Sequence, residues 1–102
     1  MPSEMWVSVL RIDLAIPGAR SLKDRRQVVK SLKERLVARF EISCAEVGDA
    51  ETWTRASLGI TAFSNDRPYL QDLMDALVRY AGNDHGAMLG NIERDLFSYG
   101  KE

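Results

Sequence analysis

The sequence predicts an α+β domain whose elements follow the order βαββαβ, forming a four-stranded antiparallel sheet with two helices on one face. Three observations carry this. Alternating apolar residues near the start of the chain and again in its middle have strand periodicity. Two other segments place apolar residues at helical spacing. Each of those segments is introduced by short polar residues suited to cap a helix. A chain of 102 residues is long enough for one core and too short for two with a cleft between them, so residues 1–102 are read as a single domain.

From Met5 to Ile16, Trp6, Leu10, Ile12, Leu14 and Ile16 fall on one side, with Ser8 as the polar exception. Val7, Val9, Arg11 and Asp13 take the other side, and Pro17-Gly18 ends the strand. Ser21 and Asp24 have the spacing of a capping box, so a helix begins there and runs to about Arg39. Its stripe is Leu22, Val29, Leu32 and Leu36, with Val28 beside them. Phe40 to Val47 and Trp53 to Ser64 read as an antiparallel hairpin joined by Gly48-Asp49-Ala50-Glu51. In the second of these strands Ala56, Leu58, Ile60 and Ala62 should face the helices, leaving Arg55, Ser57, Gly59, Thr61 and Phe63 opposite. Ser64-Asn65-Asp66 and Pro68 open a second helix carrying Leu70, Leu73, Met74, Leu77, Val78 and Ala81, which stops near Gly82-Asn83-Asp84. A last strand runs from Met88 to Phe97, with a bulge expected at Gly90 and a frayed tail from Tyr99. The order is that of the ferredoxin-like fold. It leaves one sheet face uncovered and half apolar, with Val7, Val9, Arg11, Ser57, Gly59, Thr61 and Phe63 on it.

Hydrophobic residues make up 45% and charged residues 28% of the chain, the composition of a folded protein. The longest apolar runs are a few residues, far short of the roughly 20 that span a bilayer, so no membrane contact is expected. The stretch from Met1 to Trp6 carries Glu4 and lacks the regions of a signal peptide, which points to the cytoplasm. A single cysteine, Cys44, agrees with a reducing compartment and excludes an internal disulfide and a cysteine-cluster zinc site.

Residues that would carry chemistry are sparse. His85 is the one histidine and sits in a glycine-rich turn, so neither a metal centre nor a nucleophile with an adjacent base is indicated, and no cofactor is implied. Cys44 reads as a small packed residue, and Glu46 and Asp49 as solvated hairpin charges. Neither GxGxxG nor GxxxxGK[ST] occurs, which disfavours nucleotide hydrolysis. Acylphosphatases share the predicted fold and place an arginine before the first helix, where this chain has Arg20, but their glycine-rich loop signature is missing. An RNA-recognition motif needs aromatic platforms on its central strands, and the third strand offers only Phe63. No catalytic residue is assigned and the chain is read as a non-enzyme.

Charge is the informative signal. From Pro17 to Arg39 eight bases face two acids, a local +6, whereas the remainder holds six bases against thirteen acids, or −7. At 100° per residue Lys23, Arg26, Lys30 and Lys33 fall within about 80° of arc, a positive ridge beside the apolar stripe. Arg20 precedes the cap, where a phosphate can also meet backbone N–H groups and the helix dipole. Arg35 and Arg39 lie on the opposite flank. Arg25 points into the apolar stripe, where its stem can lie along the sheet rim and its guanidinium find a carboxylate. Ordinary amphipathic helices mix both signs at i,i+4 spacing. An excess of bases this large favours a phosphate-rich partner, contacted without reading sequence. The near-neutral total favours a local footprint on a large complex.

The stretches Val9-Leu10-Arg11-Ile12-Asp13-Leu14, Pro17-Gly18-Ala19-Arg20-Ser21-Leu22-Lys23-Asp24-Arg25-Arg26, Ala45-Glu46-Val47 and Ser64-Asn65-Asp66 resemble the small bacterial YlxP-like family of unknown function. The resemblance covers nearly the whole chain and implies a ferredoxin-like fold. The family's genes often lie near those for translation initiation and ribosome maturation factors, which implies a role on ribosomal RNA or the small subunit; it carries no catalytic residues over. The expected function is a ribosome-associated or RNA-binding accessory factor using Arg20, Lys23, Arg26, Lys30 and Lys33. The alternative is a homo-oligomeric or small-ligand module pairing through the open sheet face, with Arg11 and Arg55 anchoring an acidic ligand or Glu46.

Overall fold

A computed structural model describes residues 4–48 and 52–100. Six elements follow the expected order: β1 (Met5–Ala15), α1 (Leu22–Arg39), β2 (Ser43–Val47), β3 (Arg55–Ser64), α2 (Arg67–Gly82) and β4 (Met88–Tyr99). The strands form one antiparallel sheet in the order β2-β3-β1-β4, with both helices against one face. This is the ferredoxin-like arrangement.

The alternation in β1 does what periodicity requires. Leu10, Ile12, Leu14 and Ile16 are buried and meet Ala56, Leu58, Ile60 and Ala62 of β3 under Val29, Leu32 and Leu36 of α1 and Leu70, Leu73, Met74 and Leu77 of α2. Ser8 shares the buried side, and its hydroxyl is satisfied by donating to the Ala62 carbonyl at 3.3 Å. Leu22, placed in the stripe by spacing, is only half-buried because it opens the first turn, where the helix has yet to run over the sheet.

Both helix starts follow their caps. The Ser21 hydroxyl accepts from the Asp24 N–H at 3.1 Å, and the Asp24 carboxylate accepts from the Arg20 N–H at 3.0 Å. Asp66 accepts from the Tyr69 N–H at 3.2 Å, with Pro68 in the first turn.

Several boundaries differ from expectation, each for a packing reason. Phe40 does not begin β2; it closes α1, donating its N–H to the Leu36 carbonyl at 2.9 Å and packing edge-on to Tyr80 at 5.8 Å between centroids. Trp53 is exposed in the turn before β3. β1 stops at Ala15, yet Ile16 stays buried and donates its N–H to the Thr54 carbonyl at 2.8 Å. β4 extends past Phe97, because Ser98 and Tyr99 pair with Trp6 and Met5. Tyr99 is therefore in the sheet and not in a tail. The expected bulge at Gly90 is present: Ile12 faces Ile92 and Leu14 faces Leu89, so Gly90 and Asn91 together oppose Asp13. A Cβ at Gly90 would stand 3.3 Å from the Asp13 carbonyl oxygen, tight enough to favour glycine there.

Candidate functional site

The helix α1 presents two chemically different flanks. On the flank toward α2, Arg35 pairs with Asp84 and Arg39 stacks over the Tyr80 ring at 5.3 Å. The Asp84 contact also holds the Arg35 guanidinium above its ordinary pKa. These two bases are committed to holding the helices together. On the flank toward β2 the picture is the reverse. Arg20, Lys23 and Arg26 are exposed and make no ion pair among the described residues. Lys30 is 74% exposed and stands 4.0 Å from the exposed Glu34, a contact of little energy in water.

Three sequence expectations about this helix need correction. Lys33 is not at the front of the ridge: it is half-buried at the sheet end, near enough to Cys44 for its charge to oppose the rise that burial imposes on the Cys44 thiol pKa. The start of α1 is not open to a phosphate at two of its N–H groups, since Asp24 is already bound to Arg20 and Ser21. Glu46 is not a solvated hairpin charge. It faces the helices and pairs with Arg25, while the expected partners on the other face, Arg11 and Arg55, do not reach it. Asp49 lies outside the described residues.

Arg25 itself behaves as its place in the apolar stripe requires. Its side chain is 1% exposed; Nε donates to the Arg55 carbonyl at 2.7 Å and Nη2 pairs with the Glu46 carboxylate. The pair ties α1 to both strands of the β2-β3 hairpin and so fixes which flank of the helix points outward.

A second polar cluster lies on the open face of the sheet. The Ser57 hydroxyl donates to Asp13 at 2.7 Å, and Arg11 donates to the same carboxylate at 3.2 Å and to Ser57 at 3.4 Å. The Ser57 hydrogen bond, helped by that of Arg11, holds the Asp13 pKa below the usual carboxylate range against the opposing effect of burial. These residues, with Arg55, Thr52 and Asn91, line a shallow cleft of about 480 Å³. Among the described residues no three His, Cys, Asp or Glu side chains converge as a metal-ligand set would require.

The sequence profile of DUF503, a family described as proteins of unknown function, matches residues 7–94. The chain belongs to the DUF503 family. It is also 43% identical over 52 residues to the uncharacterized protein YlxP of Bacillus subtilis strain 168. That stretch covers 51% of this chain and 56% of the relative's length, less than two thirds of either. The resemblance to the YlxP-like family of unknown function is thus shown. Among solved structures, the de novo designed protein Foldit4 superposes with a TM-score of 0.51 at 13% identity, covering 96% of this chain and 99% of the other. A mutant form of SnoaB, a cofactor-independent oxygenase from Streptomyces nogalater, reaches 0.46 at 12% identity, covering 99% and 97%. The Foldit4 likeness concerns the fold of this DUF503 chain alone. No helix among the described residues is long and apolar enough to cross a membrane.

Proposed function

We propose that this DUF503 protein is a cytoplasmic, non-enzymatic accessory factor that binds structured RNA, with the small ribosomal subunit as the target, through the β2-side flank of α1. One observation carries the reading. Arg20, Lys23, Arg26 and Lys30 are exposed along this flank with no acid among the described residues holding the first three, whereas the bases on the α2 side of the same helix are engaged. Three cations on a rigid helix at spacings of about one turn, with a fourth just before its cap, suit a phosphate backbone, which is bound by charge and position and not by base identity. The Arg25–Glu46 pair supports this role by fixing the rotation of the helix. Lys33 stands at the sheet end of the footprint as a weaker contributor.

The test is co-sedimentation with purified small ribosomal subunits, comparing the natural chain with the triple variant Lys23→Glu, Arg26→Glu, Lys30→Glu. All three side chains are exposed, so the fold is retained and binding is lost. Undiminished co-sedimentation of the variant contradicts the proposal.

A further inference from the structure

The sheet face opposite the helices has a composition unlike that of α1. Register brings Phe63 of β3, Val7 of β1 and Phe97 of β4 into one row across three strands, with Tyr99 and Met5 paired in the row beyond. Phe63 is 70% exposed, Tyr99 62% and Phe97 39%, so the row stands proud of the sheet. Tyr99 joins this patch only because β4 runs on past Phe97. Four residues along β3 from Phe63, about 13 Å at strand rise, Gly59 has no side chain. Val9, Ala45, Val47 and Thr61 surround it in a largely apolar hollow of about 250 Å³, room enough for a phenyl ring. The hollow is shaped by the glycine: a Cβ there would stand 3.1 Å from Val47 Cγ1.

We propose that this face pairs with a second copy of the same chain. Three features favour a copy of itself over other occupants. The face carries both a protruding aromatic row and an apolar hollow, so a two-fold-related copy can seat the ring of each in the recess of the other, as an isologous interface requires. It also carries both signs of charge, with Arg11 and Arg55 against Asp13, Glu93 and Asp95; Arg11 and Glu93 sit on paired positions of adjacent strands. A nucleic acid gains little from a face so close to neutral, and the acids on β4 would repel it. Finally, the size is right. At about 4.8 Å between strands and about 3.3 Å per residue, about nine residues each of β1, β3 and β4 with the five of β2 outline roughly 500 Å², which side-chain relief brings toward the roughly 600–800 Å² per partner of a specific interface. The basic flank of α1 belongs to the other layer, so a dimer formed this way leaves both copies of it exposed. The inference does not rest on RNA binding.

Sedimentation equilibrium of the full chain over a wide concentration range tests this, alongside Phe63→Asp/Phe97→Asp and, separately, Val9→Lys at the centre of the face. These side chains are exposed or at the margin, and far-UV circular dichroism checks that each variant is folded. The expected result is a natural chain whose mass rises from 11.5 kDa toward twice that value, with association at least tenfold weaker in both variants. A natural chain that stays at 11.5 kDa at every concentration overturns the proposal, and so does a dimer indifferent to both variants. A strict monomer that binds a poly(U) probe through Phe63 and Phe97 overturns it too, reassigning the face to single-stranded nucleic acid.

Discussion

Replacing Glu46 by alanine should destabilise this protein more than replacing Arg25 by methionine, although both changes break the same ion pair. The asymmetry follows from burial: the Arg25 side chain is 1% exposed and that of Glu46 is 29% exposed. Removing Arg25 leaves a carboxylate that water can reach and an Arg55 carbonyl without that donor. Methionine fills most of the vacated stem volume, so a cost of about 1–2 kcal/mol is expected. Removing Glu46 takes from the buried guanidinium the carboxylate it pairs with, and breaking a buried ion pair from one side costs about 3–5 kcal/mol. The retained bond to the Arg55 carbonyl, 2.7 Å long, places this case at the lower end of that range. For a domain of this size each kcal/mol lowers the Tm by about 4–8 °C, so the Glu46→Ala loss exceeds about 10 °C. Replacing both partners with apolar residues, as in Arg25→Met/Glu46→Leu, should recover much of that loss. Urea unfolding followed by circular dichroism, with unchanged m values, gives the required free energies. Equal costs for the two single variants, or strictly additive costs in the double, would refute the account of Arg25 as a buried strut.

The cluster on the open face predicts that Ser57→Ala returns the Asp13 pKa toward the ordinary carboxylate value, followed by the NMR titration of its carboxyl carbon; an unchanged midpoint counts against the hydrogen bond. Because the folded-state pKa is depressed, the Asp13 contribution to stability is complete above the unfolded value and disappears as pH falls through the folded one, below about pH 4. Burial raises the Cys44 thiol pKa, so a disulfide reagent at neutral pH should modify it more slowly in the folded chain than in urea. Lys33→Ala should slow it further by removing the opposing charge, and equal rates folded and unfolded contradict the packed reading.

The strand and helix order was legible because β1, α1, β3 and α2 are amphipathic with clear periods and caps, which act locally and so appear in local sequence. Arg25 was legible for the same reason, as a base in an apolar stripe. What escaped was set by contacts distant in sequence. Phe40 continues a strand-like run, yet Tyr80 draws it into the helix end. Glu46 looks like any hairpin acid until the register of β2 turns it toward α1. Tyr99 looks terminal until Met5 pairs with it, and the aromatic row exists only once β1 and β4 are side by side. The basic flank was visible in the charge count, but its division into engaged and exposed bases depended on where Asp84 and Tyr80 stand. The spacing could not show that Asp24 reaches the Arg20 N–H or that Lys33 sinks against β2.

The most direct test of phosphate contact is the salt dependence of binding to small ribosomal subunits. Contacts by Arg20, Lys23, Arg26 and Lys30 predict log K falling with log salt at a slope of about −3 to −4, at roughly 0.7–0.9 per contact, and loss of this salt-sensitive binding in the Lys23→Glu/Arg26→Glu/Lys30→Glu variant. Absence of binding at low salt, or a slope the variant leaves unchanged, would contradict a phosphate-binding role for α1.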